Sequence, residues 1–164
     1  MPLHHRLIRA VTTWPSHKGW IECLLAGAAA TALITILAAI TGLLRYNPDL
    51  SRLSPMVFLI PAFTEELIFR GPLPTQDDMT RPILWLGLGV VIFTLWHVVE
   101  ATTFLPGARL FLTPGFLACA AVLGAACAWM RYRTGSLWPG VLFHGIVVLV
   151  WQVLFSGLSV VDLR

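Results

Sequence analysis

The stretch WIECLLAGAAATALITILAAITGLL, residues 20–44, decides the fold of this chain. Its 25 residues include a single charged side chain, Glu22, close to the start. Because a helix rises about 1.5 Å per residue, about 20 apolar residues cross the hydrocarbon core of a membrane. The run is also longer than the roughly 7–15 apolar residues of a signal-peptide core. We therefore predict a retained membrane-spanning helix here.

The composition of the whole chain agrees with a membrane protein. Of its 164 residues, 57% are hydrophobic and 12% are charged, against about 25% charged in soluble domains. The net charge of +3 is small and the basic residues are scattered, whereas a nucleic-acid partner needs a clustered basic face. We predict an all-α, polytopic transmembrane bundle in contact with the lipid bilayer and with no nucleic-acid partner.

Four further apolar runs satisfy the same length criterion, which gives about five spans in one domain over residues 1–164. A basic, weakly amphipathic tail, residues 1–19, precedes them. Six basic residues on the N-terminal side of the membrane against four on the other side predict a cytoplasmic N-terminus under the positive-inside rule. The five predicted spans are residues 20–44, 55–74, 82–99, 110–130 and 137–161.

The three cysteines, Cys23, Cys119 and Cys127, all lie in apolar runs, and no two of them form a CxxC pair. An odd number of cysteines in such positions argues against a disulfide framework or a zinc site. They are predicted to act as small hydrophobic core residues.

The second predicted span contains the segment FTEELIFRG, residues 63–71, which carries three ionisable side chains. Each such residue at membrane depth costs about 2.5–3.5 kcal/mol on insertion scales. Glu66 and Arg70 have the favourable i, i+4 order and can neutralise each other, either as a simple structural salt bridge or as part of a site. Glu65 lies about 100° around the helix and is left without a partner. Pro61 interrupts the span, which predicts that this helix faces the bundle interior or a wet cavity.

Two isolated histidines follow in apolar sequence, His97 in FTLWHVVE (residues 93–100) and His144 in LWPGVLFHGIVV (residues 137–148). A lone histidine is usually a satisfied core residue. Counted along straight helices, however, Glu65, His97 and His144 lie about 15, 21 and 12 Å from the same membrane face, in a core about 30 Å thick. We therefore predict that the three meet in one site. A carboxylate and an imidazole facing one water form a general-base pair, and a second imidazole can donate to an oxyanion.

These residues form three motifs: Glu-Glu-x-x-x-Arg at 65–70, Phe-x-x-x-His at 93–97, and a later histidine at 144. In this order and in apolar helices, they resemble the CAAX-processing and bacteriocin-processing (CPBP, or Abi) family of intramembrane proteases. The segment RTGSLWPGVLFHG, residues 133–145, is similar to the usual lead-in to the third motif of that family. The resemblance covers a motif-bearing core, residues 55–151.

The resemblance implies a glutamate-dependent endopeptidase that requires no cofactor and no metal. It implies that Glu65 activates a water, that His97 orients this water and that His144 belongs to the oxyanion hole. Glu66 and Arg70 would support the glutamate helix. The short chain also resembles minimal bacterial members that trim membrane-anchored C-terminal sorting tags. This implies a multi-pass protein of the bacterial inner membrane, whose protein substrate enters sideways from the lipid.

One position departs from the family pattern. The third motif often reads His-x-x-x-Asn, and this chain has Val148 in place of the asparagine. Gln152, one turn further on the same helical face, either supplies the missing donor or simply bonds a neighbouring backbone group. Since one oxyanion donor is worth about 10²–10³ in rate, the departure predicts a variant, slow or inactive site.

Two other hypotheses remain open from the residues alone. The first is a membrane metallopeptidase or metal-binding protein, although HExxH is absent and no two histidines lie at i, i+4 in one helix. The second is a non-catalytic membrane partner, or a carrier that relays protons or ions through intramembrane Glu and His. Residues of metal-ligating type in the apolar spans are Glu65, Glu66, His97, Glu100 and His144.

Overall fold

The computed structural model of the protein describes residues 2–76, 81–105, 107–155 and 157. Within these ranges the chain forms six α-helices, and its only β-type pairing is one isolated bridge between Asn47 and Phe155. The predicted all-α bundle is confirmed. The helices are α1 (Leu3–Thr12), α2 (His17–Ile40), α3 (Thr64–Phe69), α4 (Pro82–Val99), α5 (Pro114–Thr134) and α6 (Trp138–Leu154).

Three helical stretches among the described residues are long and apolar enough to cross a membrane. They are α2, α5, and α4 together with the π-helical turn Glu100–Phe104 that extends it. The apolar helix α6 is shorter, with 17 residues. These four correspond to the first, fourth, third and fifth predicted spans, while the total of five spans stays a prediction. The end of the fifth span, beyond residue 157, lies outside the described residues.

Capping residues shift two predicted boundaries by three or four positions. Helix α2 begins at His17 because the side chain of Ser16 accepts a hydrogen bond from the amide of Gly19. Helix α5 begins at Pro114 rather than at residue 110, because residues 109–112 form a 3-10 turn and Thr113 caps the helix. It ends at Thr134, where Gly135 takes a positive φ of 67°.

The second predicted span is a broken segment rather than one helix. It consists of the 3-10 turn Pro55–Phe58, the π-helical turn Leu59–Phe63 and the six-residue α3. Ile60 is extended, with φ −131° and ψ 116°, as a residue before proline favours. The predicted interruption at Pro61 is confirmed. The kink separates α3 from the preceding turns, so that the glutamates begin a new helix.

Helix α5 forms the centre of the bundle and packs antiparallel against α2, α4 and α6. Its buried positions are mostly small, which lets neighbouring helices approach closely. Large apolar side chains cover the outer faces of α2 and α4, the reverse of the distribution in a soluble protein. These exposed residues include Leu24, Leu25, Ile36, Ile40, Ile83, Val91, Ile92 and Leu95.

The segment predicted as a basic tail contains a docked helix, α1. Ala10 is fully buried in a cluster that includes Val141. The carbonyl of Ala10 accepts a hydrogen bond from the amide of Leu137, and that of Val11 accepts one from the Trp138 indole, each at 2.8 Å. A ten-residue helix is marginal by itself, so it is this packing that stabilises α1. It lies at the end of the bundle where α2, α4 and α6 begin and α5 ends, called here the basic end.

The opposite end is closed by the segment after α2. The amides of Asn47 and Asp49 donate to the carbonyls of Leu154 and Val153 at the end of α6, at 2.9 and 2.8 Å. Hydrogen bonds from the hydroxyl and amide of Ser51 hold the pKa of Asp49 below its usual value. The two backbone hydrogen bonds to Leu154 and Val153 fix the end of α6, the helix that carries His144.

Candidate active site

Glu66 and Arg70 form a buried ion pair at the start and end of α3. Nη1 of Arg70 lies 3.3 Å from Oε1 of Glu66, and both side chains are only 1% exposed. The guanidinium carbon also lies 3.8 Å from the centre of the Phe93 ring on α4. This is the geometry of a cation–π contact. The two charges therefore offset each other inside the bundle, and the arginine is held between two helices.

Glu66 also orients His144. Nδ1 of His144 lies 3.0 Å from Oε1 of Glu66. Because a carboxylate only accepts, Nδ1 carries the proton and donates it in this bond. Gly140, one turn before His144 on α6, makes room for the carboxylate, since a Cβ at that position would lie 3.1 Å from Oε2 of Glu66. The other nitrogen, Nε2, points to Glu65, at 3.9 Å from its Oε2.

A backbone carbonyl of α4 fixes the ring of His97. Its Nδ1 lies 3.0 Å from the carbonyl oxygen of Phe93, so Nδ1 must be the protonated nitrogen and Nε2 keeps a lone pair. The rings of Phe111 and Phe116 pack edge-on against the imidazole, at 5.5 and 5.4 Å between centroids. His97 is therefore packed among aromatic rings, and its Nε2 can accept a hydrogen bond.

Glu65 has one oxygen without a hydrogen-bond partner, and the buried guanidinium of Arg70 also forms no hydrogen bond among the described residues. The side chain of Glu65 is buried, and within the described part of the chain its Oε2 has no hydrogen-bond partner. Atoms of Glu65, His97 and Glu100 that could bind a metal or a water all lie within 4.8 Å of one another. Glu100 lies one turn beyond His97, in the π-helical extension of α4. Glu65 thus faces His97 and Glu100 on α4 and His144 on α6.

This spacing admits a small bridging species between the three groups. Two groups that bond one water at about 2.8 Å and a tetrahedral angle are about 4.6 Å apart. Ligands that hold zinc at about 2.0–2.1 Å are about 3.3 Å apart. Both separations lie within the 4.8 Å limit that these atoms satisfy. A water held by a carboxylate and an imidazole in this place would suit general-base activation.

All five residues singled out from the sequence lie in one cluster: Glu65, Glu66, Arg70, His97 and His144. Their catalytic roles stay predictions. Sequence reasoning missed three contacts, namely the Phe93 face under Arg70, the bond from Glu66 to His144, and the approach of Glu100 to Glu65. These contacts join different helices, whereas i, i+4 spacing in the sequence predicts only contacts within one helix.

The three cysteines are free thiols, which confirms the prediction that they form no disulfide. Cys23 and Cys127 are buried, and Cys127 lies on α5 beside the site, with its Sγ 3.7 Å from the carbonyl of Gly140. On α6, Gln152 is 7% exposed and lies two turns beyond His144. Its role as a donor stays a prediction.

The family described as "Type II CAAX prenyl endopeptidase Rce1-like" matches residues 47–150, which include every residue of this cluster. The chain belongs to this Rce1-like family. The predicted resemblance to CAAX-processing proteases is thereby confirmed, and the protein belongs to a family of proteases. Membership agrees with its long apolar helices, and both indicate a membrane protein. No curated protein and no solved structure shows significant similarity to the chain.

Proposed function

We propose that the protein is an intramembrane endopeptidase of the glutamate type. In this proposal it hydrolyses a peptide bond in or near the membrane segment of an anchored protein substrate. One observation carries the mechanism: the buried Oε2 of Glu65 has no hydrogen-bond partner among the described residues, although His97, Glu100 and His144 surround it. A buried carboxylate oxygen left without a partner is costly, and a reacting water would satisfy it.

In the first step Glu65 accepts a proton from the water, and the oxygen attacks the carbonyl carbon of the scissile bond. His97 holds the same water through Nε2, because its Nδ1 is committed to the carbonyl of Phe93. The proton taken by Glu65 then passes to the amide nitrogen as the carbon–nitrogen bond breaks. Proton, nucleophile and leaving group therefore all balance without a further reactant.

His144 is suited to stabilise the oxyanion. Its Nδ1 proton donates to Glu66, so Nε2 can donate to an oxyanion only when the ring is the imidazolium. Nδ1 of His144 and Nη1 of Arg70 both lie against Oε1 of Glu66, at 3.0 and 3.3 Å. The second donor that family members often have is replaced by Val148, and Gln152 would have to supply it.

The substrate class follows from the surroundings of the site. A protein whose outer faces are apolar meets its substrate within the bilayer, and a C-terminal membrane tail such as a sorting tag would enter sideways between helices. We further propose the bacterial inner membrane and a cytoplasmic N-terminus, since most of the basic residues belong to segments at the basic end.

The direct test is cleavage of a membrane-anchored substrate by the wild type and by Glu65→Gln. The amide keeps the shape of the side chain and removes the base, so we expect cleavage to fall by at least about 10²-fold. Glu22→Gln is the matched control, because Glu22 pairs with Arg133 at the basic end and lies outside the site. Equal cleavage by Glu65→Gln, at equal abundance in the membrane, would show that Glu65 is structural.

A metallopeptidase is the second candidate, because Glu65, His97 and Glu100 approach one another. A zinc ion there would need ligand atoms about 3.3 Å apart. The glutamate mechanism would be wrong if the purified protein contained bound metal and if a chelator abolished the activity and zinc restored it. Activity that withstands the chelator would remove this candidate.

A further inference from the structure

A polar cavity lies at the basic end of the bundle, separate from the glutamate site. Its volume is about 210 Å³, and none of the five site residues lines it. Since about 10–15 Å³ of such cavity volume already holds one water, the cavity has room for a small polar group. The walls come from α1, the segment after α3 and the end of α5, and include Arg9, Thr13, Thr75, Gln76, Tyr132 and Arg133.

One wall of the cavity holds a buried hydroxyl without a partner. Thr75 is 9% exposed, and its Oγ1 has no hydrogen-bond partner in the described ranges. A buried, unbonded hydroxyl costs about 1–3 kcal/mol. Because this threonine lines a polar cavity, a ligand in the cavity could recover that cost.

Among the described residues, the charged side chains that line the cavity are two arginines, Arg9 and Arg133. Arg133 donates to both oxygens of Glu22 and to Oε1 of Gln76, so its guanidinium is fixed and neutralised. Arg9 is exposed and makes no ion pair within the described residues. Its charge is therefore available to a group that enters the cavity.

The backbone at this end offers few free acceptors, although two helices end here and helix C-termini are partially negative. Three carbonyls in the last turn of each of α1 and α5 already accept hydrogen bonds. In α1, the carbonyls of Arg9, Ala10 and Val11 accept from Thr13, Leu137 and Trp138. In α5, the carbonyls of Met130, Arg131 and Tyr132 accept from Thr134, Gly135 and Gln76. The described side chains that line the cavity include the Arg9 guanidinium and several hydroxyl groups, which suits an occupant that accepts hydrogen bonds and is negative.

The basic end lies where the membrane-crossing helices α2 and α4 begin and α5 ends, which is the level of lipid headgroups. Basic pockets between transmembrane helices at this level bind anionic headgroups. We propose that the cavity binds a phosphate group, carried by the headgroup of an anionic phospholipid. This goes beyond the proposed protease function and does not depend on it.

Binding can be measured on the purified protein in detergent by native mass spectrometry during titration with phosphatidylglycerol. We expect Arg9→Gln and Thr75→Val each to weaken binding about tenfold, as loss of a charge-assisted or phosphate hydrogen bond predicts. Arg45→Gln is the matched control, because Arg45 is an exposed arginine at the opposite end and its loss should leave binding unchanged. Without lipid, Thr75→Val should keep or raise the thermal midpoint, which separates lost binding from lost folding.

Further titrations test whether the ligand is a lipid and whether it must carry a negative charge. Phosphatidylcholine should bind at least about tenfold more weakly, and inorganic phosphate at millimolar concentration should compete only partly. The proposal fails if Arg9→Gln and Thr75→Val bind like the wild type, or if Arg45→Gln weakens binding equally. Full replacement of lipid by inorganic phosphate would overturn the lipid source.

Discussion

The buried ion pair between Glu66 and Arg70 makes a quantitative prediction about stability. Glu66→Gln keeps the shape of the side chain and an oxygen acceptor for His144, but it leaves the Arg70 cation without a counter-charge. Arg70→Met leaves the Glu66 carboxylate with His144 alone. Each single variant should therefore be much less stable than the double variant, in which both charges are absent.

The expected size follows from the geometry. At 3.3 Å and an effective dielectric constant of about 20, the attraction is about 5 kcal/mol. Breaking a buried pair by removing one partner costs about 3–5 kcal/mol, whereas replacing both partners is often close to neutral. For a chain of this length, about 3 kcal/mol corresponds to a fall of about 6–12 °C in the thermal midpoint. We expect a coupling energy between the two positions of at least about 2 kcal/mol.

The assay is thermal unfolding of the purified variants in one detergent, with cleavage measured alongside. The double variant should recover most of the stability but cleave slowly, because a neutral amide holds His144 by a weaker hydrogen bond than the carboxylate does. Single variants that each lose less than about 1 kcal/mol would refute the reasoning, since the pair would then not be desolvated. Additive losses would refute it as well, because they would mean that the two side chains do not interact.

Three further predictions concern packing, the oxyanion hole and metal. Gly124→Ala should lower the stability by about 1–3 kcal/mol, because a Cβ there would lie 2.8 Å from the Phe93 ring. Its control is Gly87→Ala, where a Cβ would meet no atom within 4 Å, and which should be neutral or stabilising by up to about 1 kcal/mol. Thermal midpoints of the two variants test this difference. Val148→Asn should raise the turnover number about tenfold or more by adding an oxyanion donor, and an unchanged rate would indicate that Gln152 already serves. Chelator should leave cleavage unchanged, and elemental analysis should find well under one metal ion per chain; zinc-dependent recovery of activity would contradict this.

Much of the site could be predicted from the sequence because its signals are local. Glu66 and Arg70 stand four residues apart on one helix, and each lone histidine lies in an apolar helix where a polar side chain needs a reason. The limits of the prediction appear where contacts cross between helices. Glu100 was counted only as a possible ligand, and its approach to Glu65 depends on how α3 packs against α4.

The N-terminal segment shows the same limit. Residues 1–19 give a weak amphipathic pattern, and ten residues do not hold a helix by propensity alone. Helix α1 exists because Ala10 fits into a cluster with Val141, and because Leu137 and Trp138 donate to its last carbonyls. The polar cavity at the basic end exists only because these elements meet there.

By itself, then, the sequence determined that the chain is a helical membrane protein, which family it belongs to, and which residues must share the interior. Apolar length and the cost of buried charge act along single helices, so they can be read from the order of residues. Only the tertiary structure decided that Glu66 orients His144, that Phe93 supports Arg70, and that Glu65 keeps an oxygen without a partner. Those outcomes depend on the relative placement of α3, α4 and α6, which close packing around the small residues of α5 sets.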